Sequence, residues 1–232
     1  MKRLLLMAMA ALLLSIGTAC TGPKEDGAAA YHRHDYATAL RIFRPLAAQG
    51  SAAAQFSLGL MYANGQGVAQ DYAEAVKWYQ LAAKQKHTQS QLNLGTMYLE
   101  GKGVAQDYAE AVKWYRFAAD RGNAEANFFL GTMYAEGQGV AKDYVDAARW
   151  FREGAIRGHA KSQVNLGALY AEGQGVAKDL VRAYMWLSLG AVSGDADAKN
   201  RDILAKQMTP QQIAEAQKLA RDCPQRGYKR CD

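Results

Sequence analysis

Residues 51–86 read SAAAQFSLGLMYANGQGVAQDYAEAVKWYQLAAKQK, and this stretch decides the fold. Ala54, Leu58, Met61 and Tyr62 recur at the spacing of one helical face, which predicts a first helix from Ser51 to about Asn64. Gly65 ends it, because a left-handed C-terminal cap favours glycine. Gly67-Val68-Ala69-Gln70 then crosses over, and Asp71 caps a second helix. Glu74 stands three residues after Asp71, the spacing of a capping box. The second helix turns Ala75, Trp78, Tyr79, Ala82 and Ala83 towards its neighbours: small residues that admit close approach, beside one bulky ring.

The same stretch returns in register along the chain. Trp78, Trp114, Trp150 and Trp186 keep one step of 36 residues, as do Leu58-Gly59, Leu94-Gly95, Leu130-Gly131 and Leu166-Gly167. Tyr62, Tyr98, Tyr134 and Tyr170 keep it too, and so do Asp71, Asp107, Asp143 and Asp179. A fixed period of this length marks a solenoid of stacked supersecondary units. The expected fold is all-α, an α/α solenoid with units at 51–86, 87–122, 123–158 and 159–194. Residues 35–50 match a second helix alone, with Ala39, Phe43 and Ala47 in register, and 20–34 read as a flexible linker. After 194 the chain starts another first helix at Asp195-Ala-Asp-Ala198 and diverges. Thr209, Pro210 and Gln212 mark the start of a last helix, running to about Asp222, that seals the open end within 195–232.

The whole sequence of 232 residues is half hydrophobic, which excludes intrinsic disorder. Its 22 Gly fit an all-helical chain because most of them fall at the repeated turns and junctions. A net charge of +6 argues only for solubility and weak attraction to acidic surfaces. Met1-Lys2-Arg3, followed by the apolar run from Leu4 to Ile16, matches a secretory signal over residues 1–19. Gly17-Thr18-Ala19-Cys20 resembles the lipobox of bacterial lipoproteins, although Gly17 stands where that pattern prefers Leu. The resemblance implies a lipid anchor on Cys20 and a place in the bacterial periplasm, at the outer membrane because residue 21 is Thr. The same small residues also satisfy ordinary signal-peptidase cleavage. With Cys20 acylated, Cys223 and Cys231 remain as an even pair, and a small disulfide loop around Pro224 and Gly227 is expected.

In its third copy the pattern reads Ala126, Leu130-Gly131, Tyr134, Gly137, Gly139-Val140, Asp143, Ala147 and Trp150-Phe151. It resembles the Sel-one-like repeat (SLR), a relative of the tetratricopeptide repeat, over about residues 35–194. That family's members mostly act as protein-interaction scaffolds, so the resemblance implies a protein or peptide partner. Unit two departs from the pattern: Lys86 replaces the junction Gly found at 50, 122, 158 and 194, and Thr88 replaces Ala. Unit four has a more apolar second helix, Leu180 to Trp186, suited to burial under the end helices.

No catalytic constellation stands out from the repeat. The Gly-x-Gly turns lack the third Gly and the strand of a dinucleotide site. Asp71 and its equivalents read as caps, as do His87 and His159, which hold the helix-start place of Ser51 and Asn123. His32 and His34 read as solvated. Cys-rich secreted relatives resemble penicillin-binding or β-lactamase proteins, but they carry a Cys pair in each repeat and these repeats carry none. The chain therefore reads as a non-enzyme without metal or cofactor.

A partner is expected on the first helices, which line the concave face of such a stack. The candidate positions vary while the core stays fixed: Ser57, Asn93, Phe129 and Asn165 in one row, and Asn64, Glu100, Glu136 and Glu172 in the other. Phe129 reads either as an exposed anchor or as a ring packed beside Phe128. A periplasmic regulator of a membrane sensor and an envelope or polysaccharide assembly component are the alternative readings. The basic end, Lys218, Arg221, Arg226, Lys229 and Arg230, suits anionic lipid or envelope glycan and is too short for nucleic acid.

Overall fold

The computed structural model describes residues 22–191, 195–225, 227, 228 and 231. Cys20 and the leader 1–19 lie outside them. The described residues form helices only: α1 (Pro23–His32), α2 (Tyr36–Ala48), α3 (Ala52–Asn64), α4 (Tyr72–Lys84), α5 (Thr88–Glu100) and α6 (Tyr108–Ala119). They are followed by α7 (Ala124–Glu136), α8 (Tyr144–Ala155), α9 (Ala160–Glu172), α10 (Leu180–Gly190), α11 (Asp195–Ala205) and α12 (Pro210–Gln225). From α1 to α10 each helix packs on the next to form hairpins, and the hairpins α3–α4, α5–α6, α7–α8 and α9–α10 stack in order. The fold is the all-α solenoid that the period predicts.

Local chemistry sets the ends of each unit. Ser51 and Asn123 cap α3 and α7 through side-chain oxygens that accept the amides of Ala54 and Ala126. His87 and His159 cap α5 and α9 through Nδ1, which accepts the amides of Ser90 and Ser162. Gly65, Gly101, Gly137 and Gly173 close the first helices in the left-handed conformation. Asp71, Asp107, Asp143 and Asp179 cap the second helices. The expected capping box forms only by half there. Glu74 pairs with Lys77 at 2.8 Å, and the Asp71 amide donates to the Tyr62 carbonyl instead. A complete box appears at α12, where the Thr209 amide reaches Gln212 at 2.9 Å and the Gln212 amide reaches Thr209 at 3.2 Å.

The second Gly of each turn fixes the spacing between units. Gly139 has φ 69°, and a β-carbon there would stand 2.4 Å from the backbone carbon of Tyr108 in the preceding unit. Only a residue without a side chain lets one turn rest on the start of the previous second helix. In the first three repeat hairpins a ring is seated over the Leu-Gly step, and in the fourth Leu187 takes its place: a β-carbon on Gly95 would meet the Tyr115 ring at 2.6 Å. Tyr79, Tyr115 and Phe151 are buried by this arrangement.

The N-terminal end differs from the sequence reading, and the C-terminal end follows it apart from a longer last helix. Residues 23–32, within the segment read as linker, form α1, which packs on α2 and supplies the missing first helix of the partial unit. Ala30 is fully buried there, and Gly27 lies close against Phe43. Small residues carry little hydrophobic signal, so the packing face of α1 is faint in sequence. At the other end α11 and α12 both rest on α10, and α12 continues to Gln225. Trp186 is completely buried beneath them. Cys223 and Cys231 are joined by a disulfide with Cα atoms 5.4 Å apart.

Candidate interaction surface

The first helices bring the row Ser57, Asn93, Phe129 and Asn165 onto one side of the stack, each half-buried. Ser57 spends its hydroxyl on the Ala53 carbonyl at 3.0 Å. Asn93 accepts from Gln89 at 3.3 Å and also bonds the Tyr79 hydroxyl. Burial pushes that hydroxyl up to about 12, so it stays neutral. Phe129 stacks on Tyr115 with centroids 4.8 Å apart and planes 8° apart, and leans on Phe128 at 5.4 Å. Of the two readings for Phe129, the packed one describes its environment: part of the ring serves the solenoid and the rest stays exposed.

Asn64, Glu100, Glu136 and Glu172 are exposed at the last residues of α3, α5, α7 and α9. Carboxylates at a helix C-terminus oppose the helix dipole, so the fold gains nothing from them there. Glu100 is offset by Lys102 at 2.7 Å, which raises the Lys102 pKa through the hydrogen bond and charge of Glu100.

At the N-terminal end the structure adds a feature on this side that the sequence reading missed. Tyr31 of α1, Phe43 of α2, and Phe56, Ser57 and Leu60 of α3 line an apolar groove of about 180 Å³. Phe56 lies against His87 with centroids 4.8 Å apart, and Phe128 against His159 at 5.3 Å. Burial lowers the pKa of both histidines, which keeps Nδ1 free to accept its cap hydrogen bond. The groove depends on α1, which is why the linker reading concealed it. Among the described residues no group of three or more His, Cys, Asp or Glu could hold a metal ion. No described helix is long and apolar enough to cross a membrane.

The Sel1 repeat family model matches residues 52–87, 88–123, 124–159 and 160–195, one residue out of phase with the units read from sequence. This chain belongs to the Sel1 repeat family. The Sel1 repeats also align with solved structures. One is a protective antigen present in uropathogenic Escherichia coli strains, displaying an SLR fold, with 42% identity and a TM-score of 0.72. That match covers 75% of this chain and 38% of the antigen, so the chain spans well under half of that relative. A Sel1 repeat protein from Oxalobacter formigenes is 37% identical with a TM-score of 0.70, over 74% of this chain and 71% of its own. Among curated proteins none matches the sequence. Sel1 repeat proteins are in general protein-interaction scaffolds and typically non-catalytic.

Proposed function

We propose that this Sel1 repeat protein is an envelope scaffold, exported by residues 1–19, anchored through an acylated Cys20, and used to capture a protein or peptide along its first helices. The observation that carries this reading is the apolar groove at Tyr31, Phe43, Phe56 and Leu60, opening beside Ser57 at the head of the variable row. Groove walls supplied by three helices give a partner side chain a pre-formed seat, which lowers the ordering cost of binding. The exposed part of Phe129 offers a second apolar contact further along. Glu100, Glu136 and Glu172 disfavour acidic ligands on this side.

A crosslinking pull-down of the tagged protein from its own cells tests the reading. Replacing Phe129 and Asn165 together by Ala abolishes partner capture while helicity by circular dichroism is kept. Unchanged capture would sink the first-helix assignment. Release of the protein from the membrane fraction by Cys20→Ala tests the anchor separately.

A further inference from the structure

A second groove lies between α4 and α6, across the junction into α5, away from the variable first-helix row. Lys84, Lys86 and Arg121 rim it, and Gln91, Trp114 and Phe117 line it. We infer that this groove docks an acidic peptide segment carrying an apolar side chain.

The first support is a backbone outlier. Lys86 sits at φ 68°, whereas the equivalent junction residues Gly50, Gly122 and Gly158 have φ of 91°, 80° and 78°. A side chain in this left-handed region is strained, and the fold is met more comfortably by the Gly used at the other junctions. The chain keeps a strained cation at the groove rim.

Charge is the second. Three cations line this groove, and among the described residues no carboxylate does. The corresponding groove one unit on shows what a self-satisfied version looks like. There Asp120 and Glu153 join Arg149 and Arg157 in the lining, with Arg157 held by Glu153 at 2.6 Å and Arg149 by Asp146 at 3.0 Å. Phe117 occupies the place that Glu153 takes in that later groove. It is 41% exposed and meets the Trp114 ring edge-on at 5.6 Å.

The third is an open hydrogen-bond position. In unit one, Gln55 Oε1 accepts from Gln85 Nε2 at 2.8 Å. Arg121 stands where Gln85 would repeat, and it donates to the Phe117 carbonyl at 3.2 Å instead. Gln91 is buried, and its Oε1 is left without a partner. Trp114 Nε1 is unpartnered as well, as are those of Trp78 and Trp150; the corresponding groove one unit on leaves a donor open, Asn127 Nδ2, so the open acceptor of Gln91 is what sets this junction apart. A peptide bond brings both a donor for Gln91 and an acceptor for Trp114. A fully ionised phosphate group offers acceptors alone. Acidic side chains then meet the three cations, and an apolar one covers Phe117.

The test is fluorescence anisotropy of the purified protein with a labelled, end-blocked hexapeptide, Glu-Asp-Phe-Glu-Asp-Leu. Its counterpart with Lys at the four acidic places and vesicles of phosphatidylglycerol serve as competing probes. The acidic peptide is expected to bind in preference to the basic one, with an affinity that falls as salt rises. Lys86→Gly weakens binding by about fivefold or more while raising the thermal midpoint, because it removes charge and strain together. Phe117→Glu abolishes binding, whereas the Phe129→Ala, Asn165→Ala double variant leaves it intact. Equal binding of both peptides would overturn the inference. So would an affinity indifferent to Lys86→Gly and Phe117→Glu, or capture of vesicles in place of the peptide.

Discussion

Trp150 and Trp186 hold the same place in successive repeats, yet they do different work. Trp150 is half-buried at the rim of an inter-unit groove, and its Nε1 has no partner. Trp186 is fully enclosed, with Met185 and Leu187 beside it and α11 and α12 packed on its helix. The middle units bury each second helix only against neighbouring hairpins, whereas α10 is also covered by a closing layer. A repeat position fixes which side chain is present, and the neighbouring element decides what that side chain contributes. The same lesson holds for Phe117 and Glu153, which share a register and differ in what they face.

The largest break in this comparison comes from truncating the two indoles. Trp186→Ala is expected to cost about 3–5 kcal/mol in urea unfolding, the range for a fully buried large ring. Trp150→Ala should cost less than half of that, and equal losses would show that the two positions are energetically alike.

Opening the terminal disulfide by Cys223→Ser with Cys231→Ser comes next, at about 2.5 kcal/mol from loop closure. The effect should concentrate at α12, so hydrogen exchange there rises while α3–α6 keep their protection. A uniform rise along the chain would mean that the closing layer is not a separate element.

A smaller change should make unit three resemble its neighbours. Gln55, Gln91 and Gln163 each donate from Nε2 to the carbonyl eight residues back, at 3.1, 3.2 and 3.1 Å. Asn127 takes that place in unit three. It is buried, and its Nδ2 has no partner, because it is one methylene shorter. Asn127→Gln is expected to stabilise by about 1 kcal/mol, the net worth of one buried hydrogen bond. Thermal unfolding of the single variant checks it.

The smallest effect is a pH response confined to units two and four. His87 and His159 are held below their ordinary value of 6.5 by burial, so the folded state favours the neutral, capping form. Their contribution is complete above 6.5 and is lost as pH falls through the folded values, because the unfolded chain then binds more protons. The thermal midpoint should therefore drop on acidification. Replacing both by Asn, the residue that caps unit three, should flatten that part of the profile.

Much of this was legible from residue types at a fixed step. Asp71, Gly65 and Thr209 act through their own backbone neighbourhood, so their caps and turns follow from local chemistry. The candidate row at Ser57, Asn93, Phe129 and Asn165 was legible as a stripe, but not its partial burial, since Tyr79 and Tyr115 reach it from the preceding hairpin. The groove at Tyr31 and Phe43 was hidden because α1 is built from weakly patterned small residues. An apolar Phe117 on a polar helix face was a readable signal that went unread.

The sequence by itself determined the period, the helix ends and the family, because capping, left-handed glycine turns and helical spacing act over a few residues. Tertiary structure alone decided that residues 23–32 complete a hairpin and that Lys86, Gln91 and Phe117 share one groove. Those outcomes depend on which surfaces meet between units, and burial between units is a property of the stack.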